Sequence, residues 1–236
     1  MNFEEVQAAL TGKSIEESLS FLTALFPQGV SFSTSFSHED QVLTDILFKN
    51  VPAVNVFTID TGRLFNEIYD LIQVTEARYE QRIRVYFPET IEVESLINEH
   101  GVNCFYQSIE LRKKCCHIRK VFPLQKALKD VKVWVTGLRS GQSENRHSLK
   151  VLEWDSNYRL IKYNPLADWK MEDVVKYLEE FNVPVNPMYS KGFASIGCAP
   201  CTRAIYPGED LRAGRWWWES SKKECGIHEQ AINFQI

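Results

Sequence analysis

The sequence predicts an α/β protein built on a mostly parallel sheet flanked by helices, with a loop-rich C-terminal arm. Two observations carry this. Short β-branched runs alternate with segments of helical spacing, which is the signature of strand–helix–strand units. Regular patterning then fades after Asn182, where Pro184, Pro187, Pro200 and Pro207 are interleaved with Gly192, Gly197, Gly208, Gly214 and Gly226. At 236 residues the chain has the size of one domain with an appended arm. We expect one α/β body over residues 1–206 and a mobile arm over 207–236.

Residues 1–26 read as helices, with Val6, Leu10, Ile15, Leu19, Leu22 and Leu25 at roughly helical spacing. Val30 to Ser37 is a strand running into a serine-rich turn. His38 to Lys49 follows as a helix with Glu39 and Asp40 in its first turn. Val51 to Ile59 is a second strand, closed by Asp60-Thr61-Gly62. Arg63 to Glu80 is helical, Ile83 to Phe87 is a third strand, and Ile91 to His100 is a helix. Lys113 to Lys129 is a longer helical pattern that the Cys115-Cys116 pair opens. Val131 to Thr136 is a fourth strand, ending in Gly137. Leu149 to Tyr163 reads as a hairpin around Asp155-Ser156-Asn157, and a helix is expected near Met171–Phe181. Parallel sheets bind ligands outside the carboxyl ends of their strands. The serine-rich turn, Thr61 and Gly137 are expected there.

The apolar fraction of 44% suffices for a core, and the net charge of −4 argues against non-specific nucleic-acid binding. No basic segment followed by an apolar one opens the chain, and no apolar run approaches the ~20 residues of a membrane span. A cytoplasmic protein is expected. Oligomeric state is not determined by the sequence, and a homo-oligomer is compatible with it.

The chain has six cysteines, five of them in one pattern. Cys115 and Cys116 are adjacent, Cys198 and Cys201 form a Cys-x-x-Cys unit, and Cys225 stands alone near the C-terminus. In a reducing compartment paired cysteines bind metal or do redox chemistry more often than they form disulfides. Four thiolates hold either an iron–sulfur cluster or zinc. Neighbouring helical side chains point about 100° apart, so an adjacent pair suits a centre with several metal atoms better than one tetrahedral zinc. Lys113, Lys114, His117, Arg119 and Lys120 around the first pair suit a negatively charged centre and argue against four buried small hydrophobes. Cys104 has no partner spacing and reads as a bystander.

Cys225 has Lys222, Lys223 and His228 nearby, cations that favour the attacking thiolate, and Glu224, which opposes them. An incidental thiol on a tail is the competing reading. The Ser33–Ser37 turn offers hydroxyls and N–H groups at a helix start, an anion site without the spacing of a P-loop. A plain strand-to-helix turn is the alternative. Arg139, Arg146, Arg203, Arg212 and Arg215 are suited to bidentate contact with phosphate or sulfate. Trp216-Trp217-Trp218 reads first as a packing anchor, with an adenine platform or docking patch as alternatives.

Five stretches then resemble one family: Asp60-Thr61-Gly62-Arg63-Leu64; Lys114-Cys115-Cys116-His117-Ile118-Arg119-Lys120; Thr136-Gly137-Leu138-Arg139; Ser195 to Arg203; and Gly208 to Trp216. Together with the Ser33–Ser37 turn and Cys225-Gly226-Ile227-His228, they resemble the assimilatory adenylyl-sulfate reductases. These are thioredoxin-dependent enzymes related to 3′-phosphoadenylyl-sulfate reductases. The resemblance implies a fold like that of the adenine-nucleotide α-hydrolases and a [4Fe–4S] cluster on Cys115, Cys116, Cys198 and Cys201. It implies substrate contacts from Lys120, Arg146, Arg212 and Arg215, and a phosphate loop carrying Ser33, Ser35 and Ser37. Thr61, Gly137 and His228 complete the expected substrate site, and Cys225 is the implied nucleophile. Thioredoxin is the implied partner, adenylyl sulfate the implied substrate, and sulfite formation for cysteine biosynthesis the implied activity. The chain departs from the family after Arg139, where Ser140-Gly141-Gln142 replaces a second arginine and an acidic residue.

Three other readings compete. The same reaction on 3′-phosphoadenylyl sulfate is the nearest, although members using that substrate usually lack the cluster cysteines. An ATP pyrophosphatase that thiolates nucleic acid would need a Ser-Gly-Gly-x-Asp-Ser loop, which is absent here. An iron–sulfur electron carrier would have no use for Cys225.

Overall fold

The computed structural model describes residues 1–142 and 146–219. The chain forms two compact units that interleave along the sequence. The first takes Met1–Thr58, Asn66–Arg84 and Asp130–Met188. The second takes Ile59–Phe65, Val85–Lys129 and the described residues from Tyr189 onward.

The first unit opens with α1 (Phe3–Leu10) and α2 (Ile15–Leu25), each started by a capping box, Asn2 with Glu5 and Ser14 with Glu17. β1 (Val30–Ser33), α3 (His38–Asn50), β2 (Asn55–Ile59) and α4 (Asn66–Tyr79) follow. With β3 (Arg84–Tyr86), β4 (Val133–Val135), β5 (Leu152–Asp155) and β6 (Leu160–Tyr163), the strands form a six-stranded sheet of order β3-β2-β1-β4-β6-β5. β1 runs parallel to β2 and β4, and β4 runs parallel to β6. The β5–β6 hairpin pairs antiparallel, Leu152 opposite Tyr163. β4 and β6 are buried along their whole lengths, as strands covered on both faces must be. The strand order reverses at β1, which makes the carboxyl ends of β1 and β4 the switch point of the sheet.

The second strand is shorter than its β-branched run suggests. Val51 terminates α3 by donating to Leu47, and Val54 donates back to Val51, so residues 51–54 form a turn. α4 likewise starts at Asn66 rather than Arg63, because the Arg63 N–H is drawn to the Thr61 hydroxyl at 3.2 Å. α8 (Met171–Glu180) buries Val174 and Leu178.

Asp45 holds α3, α4 and α8 together. Its carboxylate is fully buried and accepts from the hydroxyls of Tyr79 at 2.5 Å and Tyr177 at 2.9 Å, with Lys49 at 2.9 Å. Burial, and then this carboxylate, push both tyrosine hydroxyls up in pKa. Asp45→Ala would strand two half-buried hydroxyls, so it should cost about 2 kcal/mol by denaturant titration. Asp45→Asn keeps an acceptor and should lose less.

The second unit carries α5 (Thr90–His100), α6 (Ile109–Cys116) and α7 (Phe122–Leu128). The cysteine pair closes α6 instead of opening a longer helix. The Ser108 hydroxyl accepts from the Leu111 N–H and starts the helix earlier than the spacing predicts. A π-helical turn, His117–Val121, then separates α6 from α7. Beyond Tyr189 only short 3₁₀ turns and one isolated bridge, Thr202 to Arg215, are found among the described residues. No helix among the described residues is long and apolar enough to cross a membrane.

Candidate functional site

The two cysteine pairs meet within the second unit. Cys115 and Cys116 are the last residues of α6. Cys198 precedes the 3₁₀ turn Ala199–Cys201, in which the Cys201 N–H donates to the Cys198 carbonyl at 2.9 Å. All four thiols line one cavity, together with Arg63, Arg112, Arg119 and Lys120. None is in a disulfide. The Thr61 hydroxyl lies 3.3 Å from Cys198 Sγ, and the Thr61 carbonyl accepts from Arg119 Nη1 at 2.7 Å. The π-helical turn holds both Arg119 and Lys120, a common use of such distortions.

Burial, reinforced by Cys198, pushes the Cys201 thiol up to about 12, against Lys120 and Arg215. Burial also raises Cys115, with Arg119 opposing. At Cys115 and Cys201 burial thus disfavours the charged thiolate. Three buried donors around them, Arg119 Nε, Arg215 Nε and Trp216 Nε1, have no hydrogen-bond partner among the described residues. A site of soft donors ringed by unanswered N–H groups fits an electron-rich, sulfur-containing metal group. Among the described residues no three His, Cys, Asp or Glu side chains form a site for a single ion. Cys115, Cys116, Cys198 and Cys201 are the residues on hand to hold a larger group.

The loop after β1 forms the second feature, within the first unit. Phe36 is buried and takes φ +61°, the left-handed conformation that such loops usually assign to glycine. Its N–H donates to the Thr34 hydroxyl at 3.1 Å. Asp40 Oδ2 accepts from both the N–H and the hydroxyl of Ser35, at 2.6 and 2.7 Å. Ser35 is therefore already committed. Ser33 and Ser37 each use their oxygen as an acceptor, from Trp134 Nε1 at 2.8 Å and from the Asp40 N–H at 3.1 Å. Their hydroxyl protons are not used in these contacts. Gly137, after β4, sits where any Cβ would overlap Asp40 Oδ1.

Comparison with known proteins identifies the chain. A family model described as the phosphoadenosine phosphosulfate reductase domain matches residues 29–204. The chain belongs to that family. A curated relative from Burkholderia cepacia, named adenosine 5'-phosphosulfate reductase, is 53% identical, over 86% of this chain and 82% of its own length. One of the same name from Agrobacterium fabrum is 47% identical, over 94% and 86%. Among solved structures, a Candida auris phosphoadenylyl-sulfate (PAPS) reductase in a phosphate complex is similar at TM-score 0.72 and 29% identity. That match covers 84% of this chain and 94% of that one. A Candida glabrata FMN adenylyltransferase, at TM-score 0.54 and 18% identity, shares the fold alone.

The family match spans the Ser33–Ser37 loop and both cysteine pairs and ends before Arg212. Several expected site residues have structural partners. Arg139 is held by Glu39 at 2.8 Å, both almost fully buried, and so it is not available to an anion. Arg146 Nη1 is held by the Gln142 side chain, which also accepts from the Arg139 N–H at 3.2 Å. The departing Ser140-Gly141-Gln142 segment is thus a 3₁₀ turn, fastened through the Ser140 N–H to Ala167 at 2.9 Å. Arg203 pairs with Glu209 at 2.8 Å. Arg215 is buried against the cysteine loop, donating to the Ile196 carbonyl at 3.1 Å in the space a Cβ at Gly197 would fill. Arg212 is half-buried, its N–H on Asp210 at 2.8 Å. Lys114 faces Glu99 and His100, and His117 packs on Phe122. Cys104 packs into the apolar wall with Phe105 and Trp216. Trp218 packs against Phe105 and Tyr106, as an anchor should. Cys225 and His228 lie outside the described residues.

Sequence reasoning passed over Arg63 and Arg112 as cavity residues. Arg112 was legible: it precedes Cys116 by four, one helical turn on the same face. Arg63 was not, because its place depends on Val102, whose carbonyl it reaches at 2.6 Å.

Asp40 supplies a pH test of the loop. Burial raises its pKa from 3.8 to about 6, against hydrogen bonds from Ser35 and with help from Glu39. A folded-state pKa above the ordinary value stabilises the protonated form. That stabilisation is complete below 3.8 and is lost as pH rises through about 6. The difference in unfolding free energy between the native chain and Asp40→Asn should therefore change across this window and be flat above it. A difference that is flat throughout would show that Asp40 does not titrate there.

Proposed function

We propose that the protein reduces adenylyl sulfate to sulfite and AMP, with thioredoxin as reductant, as a step of sulfate assimilation toward cysteine in the cytoplasm. The observation that carries this reading is the gathering of two cysteine pairs on one cavity lined by Arg63, Arg112, Arg119 and Lys120. The relatives named adenosine 5'-phosphosulfate reductase support it.

In this reading Cys115, Cys116, Cys198 and Cys201 hold a [4Fe–4S] cluster. When bound, the cluster supplies a fixed charged centre that orders the surrounding cations and passes no electrons to substrate. A Mössbauer signal that changed during single turnover would sink that assignment. Ser33 and Ser37 donate to the nucleotide phosphate. Lys120, Arg212 and Arg215 offset the substrate's negative charge, which otherwise repels a thiolate. The Cys225 thiolate attacks the sulfur of adenylyl sulfate. The bond from that sulfur to the phosphate oxygen breaks, and AMP leaves with the electron pair. Cys225 is left as an S-sulfonate. A thioredoxin thiolate attacks the Cys225 sulfur and sulfite departs. The second thioredoxin thiol then resolves the mixed disulfide, leaving Cys225 reduced and thioredoxin oxidised.

The likeness to a solved phosphoadenylyl-sulfate reductase favours one second reading, the same chemistry on the 3′-phosphorylated substrate. The test is sulfite release by anaerobically purified protein with reduced thioredoxin, comparing the two substrates. Adenylyl sulfate should be strongly preferred, and Cys225→Ser should reduce turnover by about 1,000-fold or more while nucleotide still binds. Equal or reversed preference would move the assignment to the second reading. Undiminished turnover by Cys225→Ser would remove the nucleophile.

A further inference from the structure

The cations that line the cysteine cavity are not all held alike. Arg63 reaches the Val102 carbonyl and Arg119 the Thr61 carbonyl. Arg112 meets a carboxylate instead. Its Nε and Nη2 donate to the two carboxylate oxygens of Glu219, both at 2.9 Å. Both side chains are only 3% exposed. A forked contact of this kind fixes the plane of the guanidinium as well as its place. Trp216 fixes it further. The guanidinium carbon of Arg112 stands 4.7 Å from the centre of that ring, and that of Arg215 stands at the same distance.

Stability is a weak reason for such a pair, since apolar residues of similar volume often serve as well in a protein interior. Orientation is the better reason. Arg112 precedes Cys116 by four positions on α6, so the two side chains share one face of the helix. Arg112 lines the cavity with all four thiols, and its guanidinium also hydrogen-bonds the Cys116 side chain. The fork to Glu219 uses only two of the arginine's five N–H groups. Metal ligands depend on such partners behind them for their orientation and basicity. Here the ligand atom is the Cys116 sulfur, the donor to it is Arg112, and the group that orients the donor is Glu219.

We propose that Arg112 and Glu219 are positioning residues for the metal site: Glu219 holds the Arg112 guanidinium toward the Cys116 sulfur, and the pair thereby keeps Cys116 on the metal group and draws electron density from that sulfur. This deepens the proposed function and rests on its reading of the four cysteines as ligands. Glu219 acts through Arg112.

The test reads the metal group rather than turnover. Iron-loaded, full-length protein is mixed anaerobically with an iron chelator, and loss of its visible absorbance is timed. Two variants are compared with the native chain. Glu219→Gln has nearly the same shape without the charge, and Arg112→Met with Glu219→Met is an apolar pair of similar volume. The iron-free double variant should unfold at the native denaturant midpoint or above it. Both variants should lose the absorbance about tenfold faster or more, the usual scale when partners behind metal ligands are removed. An iron–thiolate stretching band in the resonance Raman spectrum should also move to higher frequency, because a hydrogen bond to sulfur weakens its bond to iron. The proposal is overturned if a folded double variant releases iron within about twofold of the native rate. It is also overturned if release is faster with the bands unmoved, the mark of a merely loosened fold. Should the double variant fail to fold, Glu219→Gln decides, and a native rate there overturns the proposal. Native protein that takes up no iron would overturn the ligand reading, and the proposal with it. Iron loading without sulfite release would remove the proposed reaction and leave the chelator result standing.

Discussion

Cys201→Ser should deprive the protein of iron and of turnover together. Cys201 is 8% exposed and sits beside Cys198 in a tight 3₁₀ turn, so no other side chain can replace its sulfur without moving the turn. A serine hydroxyl is a hard, weakly acidic donor and a poor substitute for thiolate at iron. The serine is nearly isosteric, so the Cys201 carbonyl should still accept from Trp216 and the apo fold should survive. Iron per chain should fall to near background, the visible absorbance should vanish, and sulfite release should drop by about 1,000-fold or more. Full iron content with full activity would show that Cys201 is not a ligand.

Gly214→Ala should have an effect nearly as large by a different route. Residues 201–203 and 214–216 run side by side, with Arg203 N–H on the Gly214 carbonyl at 2.9 Å and Trp216 N–H on the Cys201 carbonyl at 3.1 Å. A methyl at position 214 would overlap the Arg203 carbonyl oxygen, a backbone atom that cannot swing aside. Separating the two segments should cost about 3 kcal/mol and pull Cys201 away from Trp216. The glycine content of this region suggested mobility from sequence, yet Gly214 is there for close packing. Gly208 is the control. It has φ +87° with no neighbour within 4 Å, so alanine there should carry only the conformational penalty of about 1–2 kcal/mol. Thermal unfolding and iron content of the two variants separate the cases. Equal losses would mean that packing against Arg203 is not what position 214 requires.

These two variants divide what was legible from what was not. The cysteine pairs were legible because thiols at such spacings have few other uses in a reducing compartment. The serine loop was legible as well, though not the commitment of Ser35 to Asp40. Arg139, counted with the anion-binding arginines, is taken up by Glu39 one hundred positions away. The helix thought to begin at the cysteine pair ends there, because Ser108 starts α6 and the π-helical turn interrupts the pattern.

The alternating order of strands and helices, the helix that begins at His38 and the grouping of four cysteines into two pairs were determined by the sequence alone. Each depends on residues a few positions apart, or on side-chain chemistry that holds wherever the residue lies. Only the tertiary structure decided which charged groups face the cysteine cavity and which are held elsewhere. It brought Arg63 and Arg112 to the site, committed Arg139 and Arg203 to carboxylates, and placed Glu219 on Arg112. A buried charge takes whichever opposite charge the fold brings within reach, and sequence spacing does not encode that distance.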